Sequence, residues 1–282
     1  MRKVLLLLGL LLLQGCSAIK LGYNQMPTLG YWWLDSQLSF ESAQAEPVRE
    51  ALRQLQRWHR SNELTLYADL LQNLQALSQE DTDARQVCTV WAQAETATQR
   101  LAAQAIVLAT PVAMQLQPRQ LRHLLRHQEE KNEAWEQEWL LGPAPDRLKR
   151  RVDRAAARMS DFYGNLGERQ MELLREQLQK SVWQPEWGRR ERLRRQQALV
   201  SALQRLQQGE LSAPQAQALL ESVWQQWLQP PPGPDRQLYR QFVAQSCENL
   251  AELHNSTTTA QRQRLARRLR TYETNLRELA RQ

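Results

Sequence analysis

The stretch Leu-Ser-Ala-Pro-Gln at residues 211–215 contains the signals that decide the fold. Ser212 is a helix N-cap residue whose hydroxyl can accept the backbone N–H three positions on, and Gln215 can reach back to the N–H of Ser212. Leu211 stands at the position from which an apolar side chain packs onto the first turn. The stretch therefore predicts the start of a helix.

Three more stretches share this pattern: Leu-Gln-Pro-Arg-Gln at 116–120, Leu-Gly-Glu-Arg-Gln at 166–170 and, without the leucine, Thr-Thr-Thr-Ala-Gln at 257–261. Their starts are 50, 45 and 46 residues apart along the chain. This near-regular spacing favours a helix-pair unit that is used several times. Capping boxes also accumulate in any helical protein, so repetition and coincidence both stay open.

The composition indicates a protein built from helices alone. Glycine accounts for only 10 of 282 residues, and the abundant residues (Ala, Leu, Gln, Arg and Glu) lose little side-chain freedom in a helix. No stretch alternates apolar and polar residues for the length of a strand. We predict an all-α fold of about ten helices without a sheet, either a multi-helix bundle or stacked helix pairs. Two of the longest should span about 44–77 and 82–109, the second closed by Pro111.

The N-terminus is typical of a secreted lipoprotein. Arg2 and Lys3 precede ten apolar residues, too few for the roughly 20 that cross a bilayer. Leu-Gln-Gly-Cys at 13–16 then resembles a lipobox. We expect residues 1–15 to be removed and Cys16 to carry the lipid, with an ordinary buried helix as the alternative. Because Ser17 rather than Asp follows Cys16, we expect an outer-membrane location facing the periplasm.

The rest of the chain divides at a proline-rich segment. Residues 16–26 are expected to be a lipid-anchored linker, and residues 27–229 a helical region. The sequence Pro-Pro-Pro-Gly-Pro at 230–234 cannot be helical and predicts a stiff linker. Residues 235–282 are predicted to form a pair of helices packed on the rest, the last with an apolar seam of 4-3-4-3 spacing.

The charge is basic, with a formal net charge of +7. Such a balance generally suggests nucleic acid, but an exported lipoprotein rarely meets it. We therefore predict no nucleic-acid partner, and expect contacts with the membrane through the N-terminal lipid and with envelope proteins. Anionic lipid head groups or an acidic partner would match the charge. No small-molecule substrate is evident.

Several motifs resemble a known family. They are Cys16-Ser17, Tyr23-Asn24, Trp32-Trp33-Leu34-Asp35, Trp58-His59-Arg60 with Glu63-Leu64 and Tyr67, Trp187 with Arg192, Arg194 and Arg195, and Gln261-Arg262. Together they resemble a family of helical lipoproteins of Gram-negative bacteria, defined only as a domain of unknown function. The resemblance implies an outer-membrane lipoprotein and brings no activity. Residues 211–215 are also similar to the Leu-Thr-x-x-Gln motif of the chaperone-like or sensor-binding periplasmic proteins Spy and CpxP.

One cluster of polar and aromatic residues is a candidate interaction patch: Trp58, His59, Arg60, Glu63 and Tyr67. His59, Glu63 and Tyr67 lie at i, i+4 and i+8, so they share one helix face. The patch could bind a partner, or a buried hydrogen bond between His59 and Glu63 could fix two helices. The sequence leaves both interpretations open.

Two cysteines remain once Cys16 is acylated. Cys88 and Cys247 would then face an oxidising periplasm, where an even number of cysteines without a metal motif predicts a disulfide. The bond would tie the third helix to the penultimate one. Two free, buried thiols are the alternative.

No motif predicts catalysis or a cofactor. His123 and His127 have a spacing that can hold a metal, but Arg122 and Arg126 beside them would repel a cation. There is no nucleophile elbow, no zinc-protease motif and no phosphate-binding loop. We predict no metal, no cofactor and no enzymatic activity.

The expected role is a non-catalytic envelope interaction or chaperone-like module. The rivals are an envelope enzyme, or a regulator of one, acting on peptidoglycan or lipid, and a purely structural protein. Three tryptophan pairs at helical spacing could be core contacts or a binding surface: Trp135 with Trp139, Trp183 with Trp187, and Trp224 with Trp227. A concave apolar surface with a basic rim would favour the interaction module, whereas converging carboxylates would favour an enzyme.

Overall fold

The computed structural model describes residues 14–282, with side-chain surroundings from Ile19 onward. This part of the chain is 84% helical and contains twelve helices and no strand, which confirms the all-α prediction. Residues 1–13, most of the expected leader, lie outside the described residues. The helices are α1 (Gln14–Asn24), α2 (Met26–Leu38), α3 (Ser42–Asn62), α4 (Leu64–Leu77), α5 (Ala84–Ala113), α6 (Pro118–Trp139), α7 (Ala144–Tyr163), α8 (Glu168–Gln179), α9 (Pro185–Gln207), α10 (Ala213–Leu228), α11 (Pro234–Asn255) and α12 (Thr259–Ala280).

Six helices begin with a glutamine at their third position. In each, the side-chain oxygen accepts the backbone N–H of the N-cap residue, which satisfies one of the free donors at a helix start. These glutamines are Gln44, Gln86, Gln120, Gln170, Gln215 and Gln261. All four stretches of the repeated pattern therefore open a helix, as predicted. The capping boxes at Glu41 and Asp83 were not predicted, although helices were expected from about 44 and 82.

Four of these glutamines form two pairs across the chain. Gln44 and Gln120 exchange side-chain hydrogen bonds of 3.2 and 2.8 Å, and Gln170 and Gln261 exchange bonds of 2.9 and 3.0 Å. Each amide also donates to the carbonyl two residues before the N-cap of its partner's helix; these carbonyls belong to Gln115, Ser39, Ser256 and Asn165. The two glutamine pairs thus have the same local two-fold pattern, and they fasten α3 to α6 and α8 to α12.

We expect the substitution Gln120→Ala to lower the free energy of unfolding by about 2–4 kcal/mol. It removes the cap of α6, takes away one of the two hydrogen bonds at both Nε2 and Oε1 of the buried Gln44 amide, and leaves the carbonyl of Ser39 without its donor. Gln215→Ala is the matched control, because Gln215 caps α10 in the same way but is exposed, and it should cost less than about 1 kcal/mol. Urea unfolding of both variants measures the difference, and equal costs would contradict the role given to the pair.

The long helix α5 lies at the centre of the contacts and packs against α3, α10 and α11. The main apolar cluster sits where α6, α9 and α10 meet, and its buried members are Leu116, Leu121, Leu124, Val200, Leu203, Leu206 and Ala216. Helices α2 and α6 close this side of the fold, whereas α7 and α8 pack against each other. None of the described helices combines the length and the apolar character that crossing a bilayer requires.

Three segments differ from the sequence prediction. Residues 44–77 form two helices, because the backbone turns at Glu63. The Glu63 carboxylate accepts a hydrogen bond from Arg100 of α5. Helix α5 continues through Pro111 to Ala113; a proline there frees only the carbonyl of Val107, on the exposed side of the helix. Most of the segment 16–26, expected to be a linker, is helical in α1.

The two C-terminal helices pack on the rest of the chain more than on each other. Helix α12 makes its most extensive contacts with α4, and α11 makes its own with α5. A disulfide joins Cys88 of α5 to Cys247 of α11, with a Cα–Cα distance of 5.5 Å. The pairing expected from the sequence is therefore present, and it holds α11 directly on the central helix.

Candidate functional site

A cleft of about 360 Å³ opens where α6, α9, α10 and α11 converge with the loop between α8 and α9. Aromatic side chains form most of its wall, and arginines lie among them. The lining residues are Trp135, Trp183, Trp187, Gly188, Glu191, Arg192, Arg195, Gln196, Trp227, Tyr239 and Phe242. We refer to this site as the aromatic–arginine cleft.

The aromatic wall is held in place by its own packing. The ring of Trp183 packs edge-on against Trp139 with centroids 6.1 Å apart, and Trp187 packs against Phe242 at 6.2 Å. Gly188 leaves room for this arrangement, because a Cβ at that position would lie only 2.8 Å from the Trp183 ring. Aromatic rings at these distances attract one another, so these contacts hold the rings of the wall in place.

The arginines of the cleft are partly removed from water. Burial lowers the pKa of both Arg192 and Arg195, although an arginine side chain stays protonated in proteins. The Arg192 Nε donates to Oδ1 of Asn132 at 2.5 Å, and the Arg195 guanidinium lies 5.8 Å from the centroid of the Trp227 ring. An anion would therefore interact with these two guanidinium groups more strongly than it would in bulk water.

The one carboxylate in the lining is already engaged. Glu191 is buried, and Arg194 donates to it through Nε at 3.0 Å and through Nη2 at 2.7 Å. Nε of Arg195 lies 3.9 Å from the same carboxylate in an ion pair, and like Nε1 of Trp187 it is buried without a hydrogen-bond acceptor among the described residues. The cleft thus combines apolar ring faces with hydrogen-bond donors and positive charge, an arrangement that suits a ligand with a flat apolar group and acceptor oxygens.

The disulfide fixes one wall of the cleft. Tyr239 and Phe242 lie on α11, less than three turns before Cys247, and Cys247 is bonded to the central helix. Tyr239 also sits beside Glu95 of α5, and burial together with this charge raises its pKa. The bond therefore ties the wall that Tyr239 and Phe242 form to the central helix.

The family model described as "Family of unknown function (DUF6279)" matches residues 36–229, more than half of the chain. The chain belongs to this family. No curated protein and no solved structure matches the chain. Most of the aromatic–arginine cleft lies inside the DUF6279 region, whereas Tyr239 and Phe242 lie beyond its end.

The predicted patch around Trp58 lies within the DUF6279 region and is used largely for contacts inside the chain. Arg60 donates to Asn24 of α1 at 2.7 Å, and the Tyr23 hydroxyl is 3.1 Å from Nδ1 of His59. The His59 ring also packs edge-on against Tyr67 of α4. Trp58 itself is half-buried. These contacts join α1, α3 and α4, which favours the structural interpretation of the patch.

The hydrogen bond expected between His59 and Glu63 is replaced by a different one. Glu63 is only 1% exposed and accepts Nε and Nη2 of Arg100 at 2.7 and 2.8 Å. A guanidinium offers a carboxylate two parallel donors, which an imidazole cannot. The Arg100 charge holds the pKa of Glu63 below its usual range, and burial lowers the pKa of His59 and raises that of Tyr67 to about 12.

His123 and His127 make separate contacts with α2. The His123 Nε2 lies 3.1 Å from the carbonyl of Ser36, and the amide of Gln37 donates to His127 at 2.9 Å. Within residues 14–282, no group of three or more histidine, cysteine or acidic side chains is arranged to hold a metal.

The sequence identified some cleft residues but not the cleft. Trp187, Arg192 and Arg195 were among the motifs of the resemblance, and Trp135, Trp183 and Trp227 among the spaced tryptophans. Gly188, Glu191, Gln196, Tyr239 and Phe242 were missed. The last two lie on α11, and no local pattern places that helix against α9. The arginine run beside Trp187 was the one signal that could have located the site.

Proposed function

We propose that this protein is an acyl-anchored lipoprotein of the outer membrane that faces the periplasm and binds polypeptides without catalysing a reaction. The aromatic–arginine cleft is the observation on which the proposal rests. Its preferred ligand is an exposed stretch of polypeptide with aromatic and acidic side chains, as found in unfolded envelope proteins. The protein would therefore act in an interaction or chaperone-like role.

The chemistry of the cleft supports binding over turnover. The rings of Trp183, Trp187 and Phe242 offer faces for aromatic or aliphatic side chains. Arg192 and Arg195 can pair with carboxylates, and they outnumber the one acidic residue in the lining. Since Glu191 is held by Arg194, the cleft contains no free pair of carboxylates of the kind that acid–base catalysis on peptidoglycan would use.

The anchor rests on the N-terminal signals, and Cys16 tests it. We expect Cys16→Ser in the full chain to abolish labelling by a fatty-acid probe and to leave the precursor uncleaved in cells. Ser17→Ala should be labelled and processed normally, which controls for disturbance of the cleavage site. Normal labelling of the Cys16→Ser variant would disprove the anchor.

Binding in the cleft is testable by titration of the acylated protein in detergent. The probe is a peptide of alternating phenylalanine and glutamate, followed by tryptophan fluorescence, and a peptide with lysine in place of glutamate serves for comparison. We expect Arg195→Gln to weaken binding about tenfold, equivalent to about 1.4 kcal/mol, and we expect weaker binding in high salt.

Arg190→Gln is the matched control, because Arg190 is on the same helix but outside the lining. Unchanged affinity in Arg195→Gln would place binding elsewhere. Hydrolysis of a cell-wall or lipid substrate by the purified protein, with no effect on the aggregation of unfolded clients, would favour the enzymatic rival.

A further inference from the structure

The outward side of the first two helices is apolar although it is exposed. Trp32 and Trp33 are 61% and 64% exposed, and Leu21, Met26 and Leu29 are exposed as well. Among residues 14–38 only Lys20 and Asp35 carry a charge, whereas charged residues make up 24% of the whole chain. We call these five exposed residues the N-terminal apolar face.

The five residues lie on one side of a nearly continuous helix. The backbone bonds from Gln25 to Leu21 and from Leu29 to Gln25 carry the helical pattern across the junction of α1 and α2. At 100° per residue, the five side chains fall within a sector of about 140°. This sector faces away from Tyr31, which is buried on the opposite side.

The inner side of the same helices is fastened to the rest of the fold. Tyr31 lies beneath the guanidinium of Arg49, which is 3.9 Å from the ring centroid. Asn24 accepts from Arg60, and Lys20 pairs with Glu278 of α12 at 2.6 Å. Because both charged and aromatic groups hold the inner side, the apolar face is kept outward.

We propose that the N-terminal apolar face lies in the head-group region of the membrane that holds the acyl chains of Cys16. This inference rests on the proposed lipid anchor. Cys16 is five residues before Leu21 on the same helix, about 7.5 Å along its axis, so acylation would bring the face to the bilayer surface. Tryptophans are enriched at that depth, where an apolar ring meets a polar boundary.

A lipid surface explains the composition of this face better than a protein partner. A charged protein partner would find no counter-charge there, because the polar residues exposed on this side of α1 and α2, Gln25, Thr28 and Ser36, are all uncharged. The helices are not apolar enough to cross the bilayer, so they would lie along its surface as interfacial helices do. The apolar face would then add a second attachment to that of the acyl chains on Cys16.

Quenching of tryptophan fluorescence by brominated lipid tests this contact. The full acylated protein is reconstituted into vesicles of phosphatidylethanolamine and phosphatidylglycerol with brominated or ordinary acyl chains. We expect the brominated vesicles to quench up to about a fifth of the fluorescence, because two of the ten tryptophans would be within reach. The double variant Trp32→Phe/Trp33→Phe should lose this quenching.

The control is Trp91→Phe/Trp227→Phe, which removes two other exposed tryptophans and should leave the quenching intact. The inference would be overturned if quenching were absent or if it persisted in the Trp32/Trp33 variant. Absent quenching is also the result expected if another protein covers the face. Fatty-acid labelling of each preparation keeps the two proposals apart: a labelled protein without this quenching retains its anchor and loses only the membrane face.

Discussion

Replacing Cys88 and Cys247 by alanine is expected to lower the free energy of unfolding by as much as about 5 kcal/mol. The disulfide joins residues 159 positions apart, and in the chain-entropy model a loop of this length gives about 5 kcal/mol. For a chain of this size the melting temperature should fall by as much as about 10 °C. Thermal unfolding of the double variant and of the wild type, with and without reductant, measures the loss.

The substitution of both cysteines should also weaken ligand binding in the cleft. Tyr239 and Phe242 precede Cys247 on α11, so release of the bond lets this wall move. We expect the double variant to bind the phenylalanine–glutamate peptide more weakly than the wild type at a temperature where both are folded. Ser246→Ala is the control, since Ser246 is adjacent on α11 and bonds only within that helix.

Thiol counting decides whether the bond forms. The periplasmic protein is denatured without reductant and treated with an alkylating reagent. The structure predicts no alkylation at Cys88 and Cys247 before reduction and two alkylated sites afterwards. Alkylation of both cysteines before reduction, or an unchanged melting temperature in the double variant, would contradict the disulfide and its contribution to stability.

Removing Arg100 leaves the buried carboxylate of Glu63 without its cation. We expect Arg100→Met to lower the free energy of unfolding by about 3 kcal/mol. This is the lower end of the range for buried ion pairs, because the Arg100 side chain is partly exposed. The double variant Glu63→Met/Arg100→Met should recover much of this loss, since it removes the stranded charge as well. Denaturant unfolding at pH 7 gives both values.

The cost of Arg100→Met should depend on pH in a defined direction. In the wild type the pKa of Glu63 is below its usual 4.5, so the pair contributes stability above that value and loses it as the pH falls through the folded pKa. In the variant, burial without a partner raises the pKa of Glu63. The carboxyl then takes up a proton on acidification, and the difference between variant and wild type should shrink from pH 7 to pH 4.

Arg53→Met provides the comparison for an exposed ion pair. Arg53 pairs with Glu46 and Glu50 on the surface of α3, where such pairs contribute little. Its substitution should therefore cost far less than that of Arg100. A cost for Arg100→Met as small as this one, or one that grows on acidification, would contradict a buried pair at Glu63.

The helix starts could be predicted from sequence because they depend on neighbours within three residues. Gln215 and Gln261 cap their helices through contacts that a five-residue pattern contains. The break at Glu63 and its ion pair with Arg100, 37 residues away, have no such local pattern. The pairing of Gln44 with Gln120 was invisible for the same reason.

The cleft was beyond sequence reasoning because five parts of the chain build it. Trp135 and Phe242 both line it and are 107 positions apart. Helical spacing of tryptophans cannot tell which of them face a cavity and which face the core. Trp187 is buried, for example, and Trp227 is exposed at the edge of the same site.

Cross-linking at the cleft in intact cells tests the central claim most directly. A photoreactive phenylalanine analogue replaces Trp227 at the edge of the cleft or Leu66, an exposed residue of α4 outside the lining. The account predicts adducts with envelope polypeptides at position 227 that decrease with Arg195→Gln and are absent at position 66. No adducts at 227, or the same adducts at both positions, would contradict a polypeptide-binding cleft.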